Sequence, residues 1–431
     1  MSIRAKHLIY FELFYCLFAM QWLTYFGVSN IKVLVPDIIN IILLFSFKDQ
    51  LKVVISERYL KPIVTALAVF AFASIFASTF GNTFTTGWQG LLLAIWDIRI
   101  IFRPYLFIAF CVMLLDESDV NKIFEIFYKL QFVNVIMSLY QYYVQGYWMD
   151  NNGGIFSVVQ GCNKYSNVFC CVMLFWVMAR YMQQKSRISQ VVLTTVCSVV
   201  IAIYAELKFL FIEMILIVIL CVIFSGRSSK KIRTILIGIV ITYFGLYILS
   251  DLFPSSFEIL TDSELLIWYS KDMSYGNTEI SVNRLSGFEV LDTYVFNGSF
   301  VRKMFGNGWG ATGQIPLLGL YSSIILEYSS LNYIVFTYSW IYAELGMTGI
   351  ICFYSTMVVY LLTLSKNYED NNGFITISKI AVIITIVLTI YDSSWVTEGT
   401  TFLCAFAMSA GLITIKEQAY GYNIEPMQEN H

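Results

Sequence analysis

The feature that most constrains this chain is a series of apolar runs, most of them close to the length of a membrane span. About 20 apolar residues in a helix cross the hydrocarbon core of a bilayer, and the first run, about 8–28, has that length. The chain is 58% hydrophobic and 13% charged, whereas a soluble domain carries about 25% charged residues. The runs are continuous and do not alternate, which excludes a β-barrel. The sequence therefore predicts an all-α, polytopic membrane protein.

About twelve such runs can be distinguished, separated mainly by short polar loops. They lie near 8–28, 33–47, 63–80, 96–115, 123–145, 164–180, 188–204, 209–225, 232–250, 345–364, 377–390 and 400–415. Cytoplasmic loops of membrane proteins carry an excess of Lys and Arg. The strongly basic short loops, among them 48–61 and 227–233, all fall on one side of the predicted topology. We therefore expect both termini in the cytoplasm.

A single long polar segment, 251–343, separates the ninth run from the tenth. It contains nine acidic and four basic residues, so it lacks the basic excess of a cytoplasmic loop. We expect one large external loop within a single integral membrane domain, 1–431. Two apolar stretches in this loop, 315–326 and 333–342, are too short to span a bilayer. They predict short helices that lie along the membrane surface or re-enter it.

Several kinds of chemistry are excluded by residues that the chain lacks. Its two histidines, His7 and His431, stand near the termini, which argues against a histidine-based triad, a histidine base and a histidine-rich metal site. No pair of the nine cysteines has zinc-ligand spacing, and no phosphate-binding GxxxxGK[ST] loop occurs. We expect no metal, no cofactor and no nucleic-acid partner.

Cations gather at the predicted external face, where the positive-inside rule makes them less expected. They are Arg99, Arg103, Lys164, Lys208, Arg284, Arg302 and Lys303. A charge close to hydrocarbon is costly and usually has a partner, and a lipid-linked pyrophosphate would supply one, because an arginine fork matches phosphate oxygens. The alternative is local: Arg99 pairs with Asp97, Lys208 pairs with Glu206, or the side chains extend to headgroups.

A glycine cluster follows these loop cations, at Gly306, Gly308, Gly310 and Gly313. Successive backbone N–H groups in such a cluster can form a nest for a phosphate. Glycines are also the usual residues of tight turns, because they adopt positive φ at no steric cost. The pattern favours the turn.

Arg284, the FGNGWG segment at 305–310 and the AELGMTGI segment at 343–350 occur in an order that resembles the O-antigen polymerase and ligase family. In that family an arginine opens the large periplasmic loop, a FGxG-like turn follows, and an AELGxxG segment begins the next helix. The stretch 154–163 is similar to the family's G.F…N segment, and Lys208 stands where the family often has a Ser-Arg pair at a tight outer turn.

The resemblance implies a metal-independent glycosyltransferase of the bacterial inner membrane, with its large loop in the periplasm. An undecaprenyl-pyrophosphate-linked oligosaccharide would donate its glycan to a second lipid-linked unit, and the pyrophosphate carrier would leave. Catalysis would fall to Arg284, Glu289 and Glu344, with Asp292 a further candidate for the base. The pyrophosphate would be bound by Arg99, Arg103, Lys164, Lys208 and Arg302. The pathway also implies a chain-length regulator and a flippase as partners.

One difference from the family's ligases indicates which branch of the family the sequence resembles more. Its ligases carry a His-Asn pair shortly before the AELGxxG segment, and Val335 and Phe336 stand at those places here, which favours a polymerase. A ligase that transfers O-antigen to lipid A core is the nearest alternative. A transporter or flippase, with Glu125, Lys129 and Glu213 as proton-relay candidates, is the alternative from another class, and a structural membrane subunit is a third.

Overall fold

The computed structural model describes residues 3–81, 87–225, 231–273, 280–366 and 368–421. It is about 80% helical, and its described residues contain one two-stranded antiparallel sheet. The prediction of an all-α fold is therefore confirmed. Several predicted connections lie partly outside the described residues. They are Arg227 and Lys230 of the basic loop 227–233, residues 82–86 between the third and fourth predicted runs, and the tail beyond 421.

The first half of the chain is a succession of helices joined by short connections. They are α1 (Ile3–Phe14), α2 (Met20–Tyr25), α3 (Val35–Ser56), α4 (Lys61–Phe80), α5 (Gly87–Leu114), α6 (Glu117–Tyr143), α7 (Asn163–Met182), α8 (Ile188–Tyr204) and α9 (Lys208–Phe224). A π-helical turn, Tyr15–Ala19, continues α1 into α2, so these pieces correspond to the first predicted run.

The second half contains one long helix, a group of short elements, and three further long helices. These elements are α10 (Lys231–Leu252), α11 (Pro254–Thr261), α12 (Ser263–Ile267), α13 (Gly287–Val290), α14 (Phe300–Phe305), β1 (Gln314–Ile315), β2 (Leu320–Tyr321), α15 (Ser323–Tyr328), α16 (Thr337–Leu364), α17 (Phe374–Tyr391) and α18 (Glu398–Gly421). In the small sheet Gln314 is opposite Tyr321 and Ile315 is opposite Leu320.

Within the described ranges, nine helical segments are long and apolar enough to cross a membrane. Each predicted apolar run overlaps a helix, but three of the helices are outside these nine. Asp97, Arg99 and Arg103 lie near the middle of α5, and α8 and α9 have 17 residues each. The structure thus shows nine candidate membrane spans among the residues that it describes, and the number twelve stays a prediction.

Helices α7 and α18 form the centre of the bundle, since 94% of each span is buried. Helix α18 packs against α17, α5 and α7, and small side chains allow the close approach that membrane helices need. At Gly411 the backbone N–H donates to Ser378 Oγ at 2.6 Å, and a Cβ on Gly411 would lie 2.9 Å from that oxygen. This contact fixes α18 against α17.

The short elements between α10 and α16 correspond to the predicted external loop, with different limits. The stretch 315–326 forms most of the small hairpin as well as the start of α15. Helix α16 begins at Thr337, whose N–H donates to the Asp392 carbonyl at 3.0 Å, so the loop ends before 343. The predicted start of the tenth span coincides with a break inside α16 at Gly346, where φ is 60° and ψ is −155°.

Cysteine labelling tests the predicted orientation of this bundle. The described cysteines are buried, apart from the half-buried Cys352, so their reaction with a maleimide should be slow. We expect a membrane-impermeant maleimide to label Glu264→Cys, in the loop, in intact spheroplasts. Lys52→Cys, whose position is 73% exposed on the opposite predicted side, should react only after permeabilisation. Labelling of Lys52→Cys but not of Glu264→Cys in intact spheroplasts would show that the predicted orientation is wrong.

Candidate functional site

The glycine cluster is a turn that docks onto the break in α16. Gly346 has positive φ, so the carbonyls of Ala343 and Glu344 are available to partners outside the helix. Asn307 N–H donates to the Ala343 carbonyl at 3.1 Å, and Gly308 N–H donates to the Glu344 carbonyl at 2.7 Å. A Cβ at Gly306 would lie 2.2 Å from that second carbonyl oxygen. The turn therefore requires glycine at this contact.

The Glu344 side chain occupies the position that an external anion would take in a backbone nest. Its carboxylate accepts hydrogen bonds from Gly310 N–H at 2.6 Å, from Thr312 N–H at 2.7 Å and from the Thr312 hydroxyl. The residue is completely buried. These contacts support the turn that the sequence favoured over the phosphate nest, and they give the predicted catalytic Glu344 a structural role.

Arg284 is held in position by the residue before it. The Asn283 side chain is buried and donates to the carbonyls of Tyr269 at 2.8 Å and Met273 at 2.9 Å. Its oxygen accepts from the Arg284 N–H at 2.7 Å and from Nη1 of the Arg284 guanidinium at 3.2 Å. Asn283 therefore joins the loop before α13 to the π-helical turn Trp268–Asp272, which follows α12, and it orients the guanidinium.

Aromatic rings surround the Arg284 guanidinium. Its central carbon lies 4.4 Å from the Tyr269 ring and 4.7 Å from the Tyr391 ring, and Nη2 donates to the Tyr269 hydroxyl at 3.1 Å. Tyr391 stacks in turn on Phe209, with 4.0 Å between ring centroids. Stacking on aromatic faces stabilises an arginine that is partly removed from water.

Lys208 lies on the same tyrosine as Arg284. Its ammonium is 5.5 Å from the Tyr269 ring and pairs with Glu206 at 3.3 Å, as the local alternative predicted. Both cations line a groove of about 360 Å³ whose other walls are largely aliphatic and aromatic. The aliphatic walls come from Ile212, Ile259, Leu260, Leu266, Ile267, Leu285, Val387 and Ile390. The groove is apolar along its walls and carries two positive side chains.

Lys164, in the first turn of α7, contacts the connection between α17 and α18. Its ammonium donates to the Ser393 hydroxyl at 3.0 Å and to the Thr397 hydroxyl at 3.1 Å. Partial burial raises the pKa of the neighbouring Asp392 carboxyl, and its hydrogen bond from Ser394 and the charge of Lys164 oppose that rise. Because Tyr391 precedes Asp392 directly, this connection brings Lys164 to the region of the groove.

Arg99 and Arg103 are neutralised by carboxylates from distant helices. Arg103 bridges Asp37 at 3.3 Å and Glu398 at 3.2 Å, and Arg99 also pairs with Asp37. The prediction that Arg99 pairs with Asp97 is therefore wrong, because Asp37 of α3 approaches it from the side. Buried ion pairs of this kind need several partners to offset the loss of hydration. Both arginines are structural connections among α3, α5 and α18.

The remaining predicted site residues lie elsewhere on the loop. Arg302 is exposed on α14 and lines a different cavity, of about 710 Å³. Glu289 has a side chain that is 70% exposed and pairs with Lys271 at 3.3 Å. Asp292 accepts the Tyr342 hydroxyl at 2.6 Å and pairs with Lys303 at 2.7 Å. The structure thus brings together Arg284, Lys208 and Lys164 but not Arg302 or Glu289.

Sequence reasoning did not find the residues that hold Arg284 and Lys208 in place. Asn283 directly precedes the predicted arginine and is a residue type that often bonds to nearby backbone, which is a local signal. Tyr269 and Tyr391 carried no signal, because 29 tyrosines are spread over the chain and aromatic belts account for many of them. Comparison with protein-family models and with curated proteins gives no match to this chain.

Replacing Glu344 by Gln tests its structural role. The amide offers one acceptor oxygen, so its NH₂ group must face either Gly310 N–H or the donors of Thr312. We expect the free energy of unfolding to fall by about 1–3 kcal/mol, which is typical for an unsatisfied buried polar group. Thermal unfolding of the protein purified in detergent measures the change.

Glu289→Gln is the matched control, because exposed ion pairs contribute about 0–1 kcal/mol. It should unfold close to the wild-type temperature. A Glu344→Gln protein that keeps wild-type stability but loses activity would instead assign Glu344 to catalysis.

Proposed function

We propose that this protein is an O-antigen polymerase, which joins undecaprenyl-pyrophosphate-linked oligosaccharides at the periplasmic face of the inner membrane. The observation that carries the proposal is the apolar groove with Arg284 and Lys208. A polyprenyl pyrophosphate has a hydrocarbon chain and a doubly phosphorylated head. The aliphatic walls of the groove suit the chain, and its cations suit the head.

The proposed chemistry is transfer of a glycan from one carrier to another. The bond between the sugar C1 and the pyrophosphate oxygen breaks, and a bond from C1 to an acceptor hydroxyl oxygen forms. The hydroxyl proton passes to a base, and the carrier pyrophosphate departs with the bonding electron pair. Preorganised cations stabilise the negative charge that develops on the leaving group. We assign that role to Arg284 and Lys208, with Lys164 beside them.

The contacts of Arg284 suit this task. Asn283 and Tyr269 orient the guanidinium, so little rotamer freedom is lost when a phosphate binds. Its planar fork can hold two phosphate oxygens at once. The arrangement supports Arg284 as the principal residue of the site.

A transporter has less support from the same structure. Its proton-relay candidates would need to form a connected chain of titratable groups. Glu213 is buried and accepts a hydrogen bond from Cys171 Sγ at 3.2 Å, whereas Glu125 and Lys129 are exposed on α6. Glu125 accepts from Asn121 on its own helix at 2.8 Å. A ligase shares the groove chemistry and differs from a polymerase in its acceptor.

Substitution of Arg284 tests the site directly. We expect Arg284→Ala to abolish long surface polysaccharide at a normal protein level, because the leaving group loses its bidentate partner. Arg284→Lys should retain part of the activity, since it keeps the charge and loses the fork. Gel electrophoresis of the polysaccharide and an immunoblot of the protein measure the two quantities.

Lys271→Ala is the control for loss of a loop cation. Lys271 pairs with Glu289 at the surface and lies outside the groove lining. It should give a normal chain-length ladder. A normal ladder from Arg284→Ala as well would refute the assignment.

Deletion of the gene separates the proposed function from its alternatives. Loss of a polymerase should leave a single repeat unit attached at the cell surface. Loss of a flippase should leave no repeat unit there, and loss of a ligase should leave polymer on its lipid carrier. The wild-type gene on a plasmid should restore the full ladder. A deletion strain with no repeat unit at the surface would assign the protein as a flippase, and one with polymer on the lipid carrier would assign it as a ligase.

A further inference from the structure

A second cavity lies beside the α17–α18 connection, as does the groove that Arg284 and Lys208 line. Its volume is about 250 Å³, and Ser393, Val396 and Thr397 form one wall. Tyr391, at the start of the same connection, lines the groove. Lys164 touches two residues of the cavity wall through its hydrogen bonds to the Ser393 and Thr397 hydroxyls. Only a few residues of this connection therefore separate the residues that line the groove from those that line the cavity.

The cavity contains a buried carboxylate with an unsatisfied oxygen. Asp97 lines it and is 2% exposed. Its Oδ2 has no hydrogen-bond partner among the described residues. A Cβ placed on Gly313 would lie 2.2 Å from that oxygen, so the glycine makes room for the carboxylate at the cavity wall. Leaving a buried acceptor unpaired costs free energy, and a donor on a bound molecule would recover it.

The other walls combine aromatic surface with neutral polar groups. Trp96 and Trp340 line the cavity together with Thr312 and Gln314. A sugar ring has apolar C–H faces, which pack on aromatic side chains, and a rim of hydroxyl donors, which pair with carboxylate, amide and hydroxyl oxygens. Pockets for drug-sized ligands measure about 300–1,000 Å³, so this smaller cavity suits a single ring.

We propose that this cavity binds one sugar ring of the acceptor glycan, with Asp97 accepting a hydrogen bond from a ring hydroxyl. The assignment rests on the proposed function, in which the donor pyrophosphate occupies the groove with Arg284 and Lys208. The shared connection would then hold donor and acceptor side by side, with Lys164 between them. Asp97 lies on the long helix α5, and regular secondary structure positions a selective group more precisely than a loop does.

Binding measurements on the full-length protein in detergent test this inference. One probe is the repeat-unit oligosaccharide released from the source strain's surface polysaccharide by partial acid hydrolysis, and the other is undecaprenyl pyrophosphate. Isothermal titration calorimetry gives both dissociation constants for the wild type and for Asp97→Asn. Gln314→Ala is a milder variant at the half-buried cavity wall. Asp251→Asn, at an exposed carboxylate on α10, is the matched control.

We expect Asp97→Asn to weaken oligosaccharide binding about tenfold, because the amide places an NH₂ group where one carboxyl oxygen stood and leaves a buried polar group mispaired. Gln314→Ala should weaken it by a smaller factor, and Asp251→Asn should leave it unchanged. Binding of undecaprenyl pyrophosphate should stay at the wild-type value in all three variants. This combination would support a sugar site separate from the pyrophosphate site.

Wild-type oligosaccharide affinity in both Asp97→Asn and Gln314→Ala would overturn the sugar site, as would a wild-type protein that binds no oligosaccharide. If Asp97→Asn fails to fold, as judged by size-exclusion chromatography, Gln314→Ala decides alone. A different result would refute the proposed function. A wild-type protein that binds the oligosaccharide through Asp97 but does not bind undecaprenyl pyrophosphate would keep the sugar site and refute the polymerase.

Discussion

The break in α16 at Gly346 is the constraint on which the architecture of the segment between α10 and α16 depends. A helix interrupted at this point exposes the carbonyls of Ala343 and Glu344, which must find partners because buried carbonyls are rarely left unpaired. The glycine turn supplies N–H groups to both, and the Glu344 carboxylate then binds N–H groups further along the same turn. One backbone irregularity therefore anchors the middle of a long polar segment to a membrane helix.

The second organising element is the connection between α17 and α18. It offers a carbonyl to the first residue of α16, since Thr337 N–H donates to Asp392. It also presents Tyr391 to Arg284 and hydroxyls to Lys164. This short stretch follows one long helix and precedes α18, of which 94% is buried, so both of its ends are fixed by packed helices. The groove and the smaller cavity are both built on it, which is why the two proposed ligands would meet there.

Carboxylates from other helices pair with the two arginines of α5. Asp37 and Glu398 satisfy Arg103, and Asp37 also satisfies Arg99, so these charges hold helices together. Arg284 lies against the rings of Tyr269 and Tyr391 at the edge of an apolar groove, where electrostatic interactions are stronger than in water. The predicted cations thus fall into a structural pair on α5, a group around the groove, and an exposed Arg302.

The apolar runs by themselves determined the helical class and most helix positions, because a chain this apolar can satisfy its backbone in a bilayer mainly through helices. The local glycine pattern also indicated the turn at 306–313. Tertiary structure alone decided which partners these residues meet. Asp37 lies 62 residues from Arg99 in sequence, and Tyr391 is more than a hundred from Arg284. Pairings over such distances depend on how helices pack, and no local spacing encodes them.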